Sequence, residues 1–420
     1  MRFDAVGDWL SWQSRLHPAS IDMGLERCGE VADRMSLRSC PFKIVSVAGT
    51  NGKGSCVALM ESILLCAGVR VGSYTSPHLL RYNERIKILG REVTDEELMG
   101  AFAEVDEARD STSLTFFEFG TLAAIVLFKR AKLDVVILEV GLGGRLDAVN
   151  LFDSDVSVLT SIDIDHTEWL GSDRESIGFE KAGILRSGCP AVCGDPDLPE
   201  SVVTYAAKLG APLYRLNTDF SLDFDGFSGC WHCNDREIRE IPLPSLKGGH
   251  QIGNAAVAIT ALHFLNVLDG ADPIRGGVAA TCLTGRFQTI SENPRVIVDV
   301  AHNPHASMAL ADALRDELCE GQTHALVGML MDKDVTNILH NMSSVIDHWH
   351  IAGVVAPRGA DRAYMETVIT KSNLMGTMSF YDQVEEAYNK IRQQILGVDR
   401  LIVFGSFYTA AEVLRLETSS

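Results

Sequence analysis

Basic residues are scarce in this 420-residue chain: 37 Lys and Arg stand against 56 Asp and Glu, for a formal net charge of −19. That balance excludes a general affinity for nucleic acid, whose phosphates are held by basic surfaces. Small anionic ligands remain open, because a few cations and backbone N–H groups make a local positive pocket in an acidic protein. The first residues, MRFDAVGDWLSW, have neither the basic flank nor the apolar run of a signal peptide. No apolar stretch reaches the length needed to cross a bilayer. No membrane partner is expected, and the cytoplasm is the expected compartment. The ten cysteines lack the pattern of a zinc site. Neither Cys189 with Cys193 nor Cys230 with Cys233 has a matching second half, so they read as reduced, mostly buried small residues.

What is present is ordinary globular composition, 46% hydrophobic and 22% charged, at a length that favours two cores over one. From Lys43 to about Ser161, short β-rich runs alternate with helical stretches. KIVSVAGT, VRVGSYTS, DVVILEVG and DVSVLTSI read as strands without polar alternation. Such strands, separated by helices, imply a parallel sheet covered on both faces. TDEELMGAFAEVDEARD opens with Thr94 and Glu97 at capping-box spacing and is a helix. TFFEFGTLAAIVLFKRAK is a mostly apolar helix. The region from Pro196 to Leu243 is rich in turns and β-type residues, and NAAVAITALHFLNVL returns to helix. The polar stretch TGRFQTISENP marks a boundary, after which RVIVDVAH restarts the alternation through to LIVFGSF. The expected fold is therefore α/β throughout: an N-terminal nucleotide domain with a mainly parallel sheet (1–284), a hinge (285–294) and a smaller Rossmann-like α/β domain (295–420).

Gly49-Thr50-Asn51-Gly52-Lys53-Gly54-Ser55 lies between a predicted strand and a predicted helix, the context a phosphate-binding loop requires. Glycines let successive N–H groups point inward, the helix start adds positive potential, and a lysine reaches the outer phosphates. Gly54 separates Lys53 from the Ser55 hydroxyl, which departs from the GxxxxGK[ST] form and argues against an ordinary P-loop GTPase or kinase.

The string VAGTNGKGS resembles the ATP-binding loop of the Mur ligase superfamily, in its folylpolyglutamate synthase/dihydrofolate synthase branch. The resemblance runs along nearly the whole chain. SPHL at Ser76–Leu79 with Arg81 to Arg85, EVGLGGRLDA at Glu139–Ala148, Asp165-His166-Thr167, Glu180-Lys181-Ala182-Gly183, Gly285-Arg286-Phe287-Gln288 and Asp299-Val300-Ala301-His302-Asn303-Pro304 follow in the branch's order. It implies a Mur ligase-like fold, a monomer, and an ATP-dependent ligase that activates a carboxylate as an acyl phosphate for attack by the amine of L-glutamate.

Phosphoryl transfer is mainly positioning and charge neutralisation, so such a site needs hard oxygen ligands for Mg2+ and fixed cations. Glu139 ends a predicted buried strand, where open α/β sheets place ligands, and a carboxylate there is costly unless paired in a salt bridge or bound to metal. The resemblance makes Ser76 and Glu139 ligands of one Mg2+ and His166 a ligand of a second. It makes Lys181 an N6-carboxylysine, carbamylated by carbon dioxide into a carboxylate-like ligand, since an unmodified lysine would repel metal. It assigns ATP contacts to Thr50, Asn51, Gly52, Lys53, Gly54, Ser55, Asn254, Arg286 and Asp299, with Lys53, Lys181 and His302 catalytic. An ATP site shared between domains would need closure to shield the acyl phosphate from water. The plainer role for His302 is the cap of the helix that starts at Asn-Pro.

Two strings resemble the branch's pterin-binding segments, Asp22-Met23-Gly24-Leu25 and Thr115-Phe116-Phe117-Glu118, with Leu146-Asp147-Ala148 as a third. Aromatic rings can stack on a pterin, and carboxylates can read its N–H groups; Phe117 on its own also fits a helix start facing the core. The expected substrates are dihydropteroate, reduced folates, glutamate and ATP. The alternatives are folylpolyglutamate synthesis alone, a Mur-type ligase acting on another carboxylate, and an ATP-binding switch that makes no amide bond.

Overall fold

The structure, a computed structural model, describes residues 2–372, 374 and 376–418. The chain divides into two compact units, Met1–Ser245 with Gln251–Thr281, and Leu246–His250 with Cys282–Ser420. Among the described residues, no helix is long and apolar enough to cross a membrane.

The first unit is built on strands β1 (Lys43–Ala48), β2 (Val71–Tyr74), β3 (Ile86–Ile88), β4 (Arg91–Glu92), β5 (Val135–Glu139), β6 (Val156–Leu159), β7 (Ala191–Cys193) and β8 (Leu213–Arg215). They form one sheet in the order β4-β3-β2-β5-β1-β6-β7-β8, parallel from β2 through β8, with the β3–β4 hairpin antiparallel at one edge. The missing polar alternation has a direct cause. Successive side chains point to opposite faces, and here both faces are cores. Ile44, Ala48, Val136 and Leu138 join one apolar cluster while Val45, Val47, Val135 and Ile137 join the other.

Helices follow the strands where local chemistry starts them. Thr94 and Glu97 close a capping box on Asp95–Arg109, as their spacing predicts. The same T-x-x-E device starts Phe116–Ala131, with Thr115 and Glu118. The stretch expected to be turn- and β-rich contains the helix Glu200–Leu209, then a small antiparallel sheet of β9 (Phe220–Phe224), β10 (Gly229–Cys233) and β11 (Arg236–Ile241), in the order β11-β10-β9.

The second unit holds β12 (Gln288–Glu292), β13 (Arg295–Val298), β14 (Thr323–Val327), β15 (His348–Ala352), β16 (Thr377–Tyr381) and β17 (Arg400–Phe404), in the order β12-β13-β17-β14-β15-β16. Only β12 runs antiparallel. The residues expected as a hinge, 285–294, thus carry an edge strand of this sheet. Its core is a separate apolar cluster around Trp349, Phe404, Ile351 and Leu339.

Candidate functional site

The carboxyl ends of β1, β5 and β6 lie side by side, since β1 is hydrogen-bonded to both neighbours. Open α/β sheets place ligands at such ends. The glycine loop leaves β1 there. Gly49 has φ 151°, and a Cβ on it would collide with the Thr160 hydroxyl. Gly52 has φ 88°, and its Cβ would stand 2.7 Å from Asn254 Oδ1. Both positions therefore exclude side chains. The loop is latched to the segment after β6: Thr50 N–H donates to Ser161 O at 2.6 Å, the Thr50 hydroxyl donates to Asp163 O at 3.0 Å, and Asn51 N–H donates to Ser161 Oγ at 3.2 Å.

Helix Lys53–Cys66 starts directly after Gly52, with no side-chain cap and no acidic residue in its first turn. A helix start of this kind can take an anion. Lys53 folds over the loop, donating to Gly49 O at 3.0 Å and Thr50 O at 3.1 Å. Gly54 lies in the same first turn, and Ser55 is buried beneath it, where its hydroxyl accepts from Gln251 Nε2 at 3.4 Å. Asn254 donates to Gln251 Oε1 at 2.9 Å.

Lys181 sits near the end of helix Arg174–Ala182, 132 positions along the chain, yet its Nζ donates to the same Gly49 carbonyl at 2.9 Å. The side chain is buried. Burial, followed by repulsion from Lys53, drops its pKa to about 7, against weaker opposite pulls from Asp165 and Asp147. Its helix is held against the GLGGR turn by Arg145, whose N–H donates to Glu180 O at 2.8 Å and whose guanidinium pairs with the Glu180 carboxylate at 2.9 Å.

Glu139 is buried at the end of β5 and accepts from the Ser76 backbone N–H at 3.3 Å. The parallel pairing of β2 with β5 makes this meeting possible. A buried carboxylate beside a serine is a hard-oxygen donor set, the kind a magnesium-sized cation takes. His166 follows β6 in a left-handed backbone, φ 54°, and its N–H donates to Asp165 Oδ1 at 2.9 Å. Its side of the segment is exposed. Asp163 carries no motif signal, and the Asp-His-Thr string gives Asp165 no role of its own. Spacing could not show that these two aspartates meet Thr50 and act on Lys181.

Two of the three strings expected at a pterin are joined by Arg27, which sequence reasoning missed. Its guanidinium donates to Asp22 Oδ2 at 2.6 Å and to Glu118 Oε1 at 3.1 Å. His17 also meets Asp22, at 3.1 Å. Glu118 spends its second oxygen on Thr115 N–H at 2.7 Å, so the structure uses it as a helix cap and an anchor. Phe117 is half-buried, 5.7 Å from the Tyr74 ring and packed over Gly141, while Phe116 meets Tyr82 edge-on. Met23 stands near Gly143, and Leu25 precedes the helix Glu26–Arg34. Asp147 organises the GLGGRLDA turn: Oδ2 accepts from Gly141 and Leu142 N–H, and Oδ1 from Val149 N–H at the start of a short helical turn. Burial pushes its pKa to about 7, opposed by those N–H groups and by Lys53. Leu146 and Ala148 flank it, the latter buried.

In the second unit, Asp299 directly follows β13 and accepts from Phe287 N–H at 2.8 Å and Ala301 N–H at 2.7 Å. Burial raises its pKa while Arg286 holds it down. Arg286 lies 5.9 Å over the Phe407 ring. His302 turns Nδ1 to Val300 O at 2.8 Å, which requires that nitrogen to carry the proton. The cap of helix Pro304–Arg315 is the next residue, Asn303, whose side chain accepts from Ala306 N–H. The plainer role considered for His302 is thus filled by its neighbour. His250, also unmarked in sequence, lies near Arg286 and His305; burial first, then the Arg286 charge and the His305 ring, lowers its pKa to about 4.

The Mur ligase middle-domain family model matches residues 47–262, and the model of the Mur ligase glutamate ligase domain matches residues 285–407. The Escherichia coli dihydrofolate synthase/folylpolyglutamate synthase is 43% identical over 412 residues, covering 98% of this chain and 95% of the relative. A structure of Escherichia coli FolC in complex with DHPP and ADP superposes with a TM-score of 0.93 at 43% identity, over 99% of this chain and 98% of that one. The bifunctional synthase with Mn, AMPPNP and L-glutamate bound gives a TM-score of 0.90 at 45% identity, with 98% of each chain covered.

Proposed function

The chain belongs to the Mur ligase family, in its dihydrofolate synthase/folylpolyglutamate synthase branch, and from that premise we propose how its own residues carry the branch's reaction. The protein is an ATP-dependent ligase that joins L-glutamate to 7,8-dihydropteroate and extends reduced folates with further glutamate. A carboxylate oxygen attacks the γ-phosphorus of ATP, giving an acyl phosphate and ADP. The glutamate amine then attacks the acyl carbon, the C–N bond forms, and phosphate leaves as the amine loses its proton. Glycine-loop N–H groups and Lys53 bind the outer phosphates and hold the γ-phosphoryl in line.

The observation that carries this reading is the buried Lys181 amine seated on the phosphate loop beside Lys53. Two ammonium groups on one carbonyl repel, and a pKa near 7 leaves much of Lys181 neutral at physiological pH. A neutral amine can attack carbon dioxide. A carbamate forms as one N–H proton goes to water, and a repelled cation becomes an anion. In this proposal Ser76 and Glu139 would hold one Mg2+, and His166 with carbamylated Lys181 a second; ions held there would supply charge neutralisation for the phosphates. Asp22–Leu25, Thr115–Glu118 and Leu146–Ala148 frame the pterin, with Arg27 joining the first two. Arg286 and the neighbouring Asp299 and His302 serve nucleotide in the second unit. Every group named lies on one chain, so a monomer suffices.

The test is steady-state phosphate release from ATP, with dihydropteroate and glutamate each omitted in turn. Release should require both. Equal release with neither present would sink the ligase reading. A 13C-labelled bicarbonate soak followed by carbon NMR should show one carbamate resonance that Lys181→Ala removes.

A further inference from the structure

The small antiparallel sheet carries chemistry that the ligation does not use. Along β10 the side chains alternate: Trp231 and Cys233 are buried in the first unit's core, while Cys230 and His232 occupy the opposite face. Antiparallel register sets Glu237 of β11 across from His232, and Asp223 of β9 across from Cys230. The Cys230 thiol, a ring nitrogen of His232 and a carboxylate oxygen of Glu237 all lie within 4.8 Å of one another. Among the described residues this is the group of His, Cys and carboxylate side chains that meets so tight a limit.

We propose that Cys230, His232 and Glu237 form a site for a borderline divalent cation of the zinc class, distinct from the magnesium chemistry of the phosphate loop. Three arguments support it. The donor set is thiolate, imidazole and carboxylate, which zinc accepts together and magnesium, with its demand for oxygen ligands, does not. Ligand bonds of about 2.0–2.3 Å place neighbouring donors of a tetrahedral zinc roughly 3.3–3.8 Å apart, so side-chain rotation alone closes the present spacing. The scaffold is rigid in the dimension that matters, because two ligands share one strand and the third is fixed opposite by the ladder. A fourth position faces solvent and is open to water, and Asp223 adds negative charge beside it. Binding costs one exposed contact: Glu237 now accepts from Arg239 at 3.0 Å and 3.3 Å, an ion pair at the surface that water readily replaces. The thiol proton is released to solvent as the metal–sulfur bond forms.

This site is invisible to cysteine spacing. Cys230 and Cys233 are three apart, which in a strand puts them on opposite faces, and Cys233 is buried. The partners of Cys230 come from strand period and register instead.

Cobalt(II) titration of the full chain tests the proposal. A thiolate bound to cobalt gives an intense near-ultraviolet charge-transfer band, whereas cobalt held only by oxygen and nitrogen in the ligase's own metal site gives none. The band should saturate at one equivalent, be displaced by zinc, and survive a large excess of Mg2+. Cys230→Ser should abolish it, and His232→Ala should weaken zinc affinity by at least about tenfold in competition with a chromophoric chelator. Cys66→Ser, at an exposed cysteine elsewhere in the same unit, should leave the band unchanged. Cys230 and His232 lie on the outward face, so both variants should keep the wild-type circular dichroism. No band, or a band that persists in Cys230→Ser, would overturn the site.

Discussion

Each unit contains a parallel strand that runs into a helix at its sheet's carboxyl end, and the two junctions are finished in opposite ways. After β1, Gly52 supplies no side-chain cap, and the first turn of helix Lys53–Cys66 carries no acid. After β13, Asn303 caps Ala306 N–H, and Pro304 occupies the first turn, where its missing N–H costs nothing. One helix start has no side-chain cap; the other is capped by the protein itself. The clustered bases differ in the same sense. Lys53 and Lys181 converge on a loop carbonyl, where Lys53 adds to the burial that lowers the Lys181 pKa. In the second unit, His324 and His350 stack across β14 and β15, bonded to each other at 3.1 Å, with Tyr381 beyond at 3.1 Å from His350. There burial and neighbouring imidazoles only lower the pKa, to about 4 for His350. A perturbed base marks a reaction site only when a ligand can reach what perturbs it.

The sharpest way to break this contrast is to empty the open junction. Lys53→Ala should lower kcat for phosphate release by about 10^3-fold or more, the scale of removing a fixed phosphate-neutralising cation. Near-wild-type turnover would put phosphate binding elsewhere. Lys181→Ala should cost about 10^2-fold, with partial recovery in formate or acetate, since a small carboxylate can occupy the space of the lost carbamate. Full activity without added carboxylate would remove Lys181 from the metal site.

The next effect belongs to the second unit and to pH. The His350 pKa falls from its ordinary 6.5 to about 4 in the folded chain, so between those values the unfolded state binds more protons. The stability is present above pH 6.5 and is lost as pH falls through that window, by up to on the order of 3 kcal/mol. Protection factors of β14 and β15 amides, taken relative to unstructured-chain exchange at the same pH, should fall between pH 7 and 5, and His350→Gln should flatten the change. An unaltered pH response in that variant would move the acid sensitivity to other groups. The smallest expected effect is Asn303→Ala, which should cost about 1 kcal/mol in chemical denaturation of the second unit. Phosphate-loop nucleotide affinity in the isolated binding step should stay unchanged. An equal loss at both would erase the distinction between the junctions.

Local features are legible in the residues alone. The Thr94–Glu97 cap, the apolar strands and the strand–glycine–helix order around Gly49 all follow from short-range rules. The T-x-x-E spacing at Thr115 is equally readable and assigns Glu118 a cap, a role that its place in a pterin-like string masks. Helices Val6–Gln13 and Glu26–Arg34 escape such a reading, because their stability comes from packing on the helices that follow as well as from local signals. Arg27 is hidden for the same reason: nothing near it in sequence says that it bridges Asp22 and Glu118, the latter 91 positions away.

By itself the sequence determined the apolar strands of the first sheet, the capped helix starts at Thr94 and Thr115, and the glycine turn between strand and helix, since those depend on neighbours a few residues apart. Tertiary structure alone decided that Lys181 would share a carbonyl with Lys53, that Glu139 would face Ser76, and that the Lys181 amine would sit near pH 7. Parallel pairing gathers strand ends from distant parts of the chain, and desolvation sums over every segment that closes around a group. Neither quantity exists until the sheet has formed.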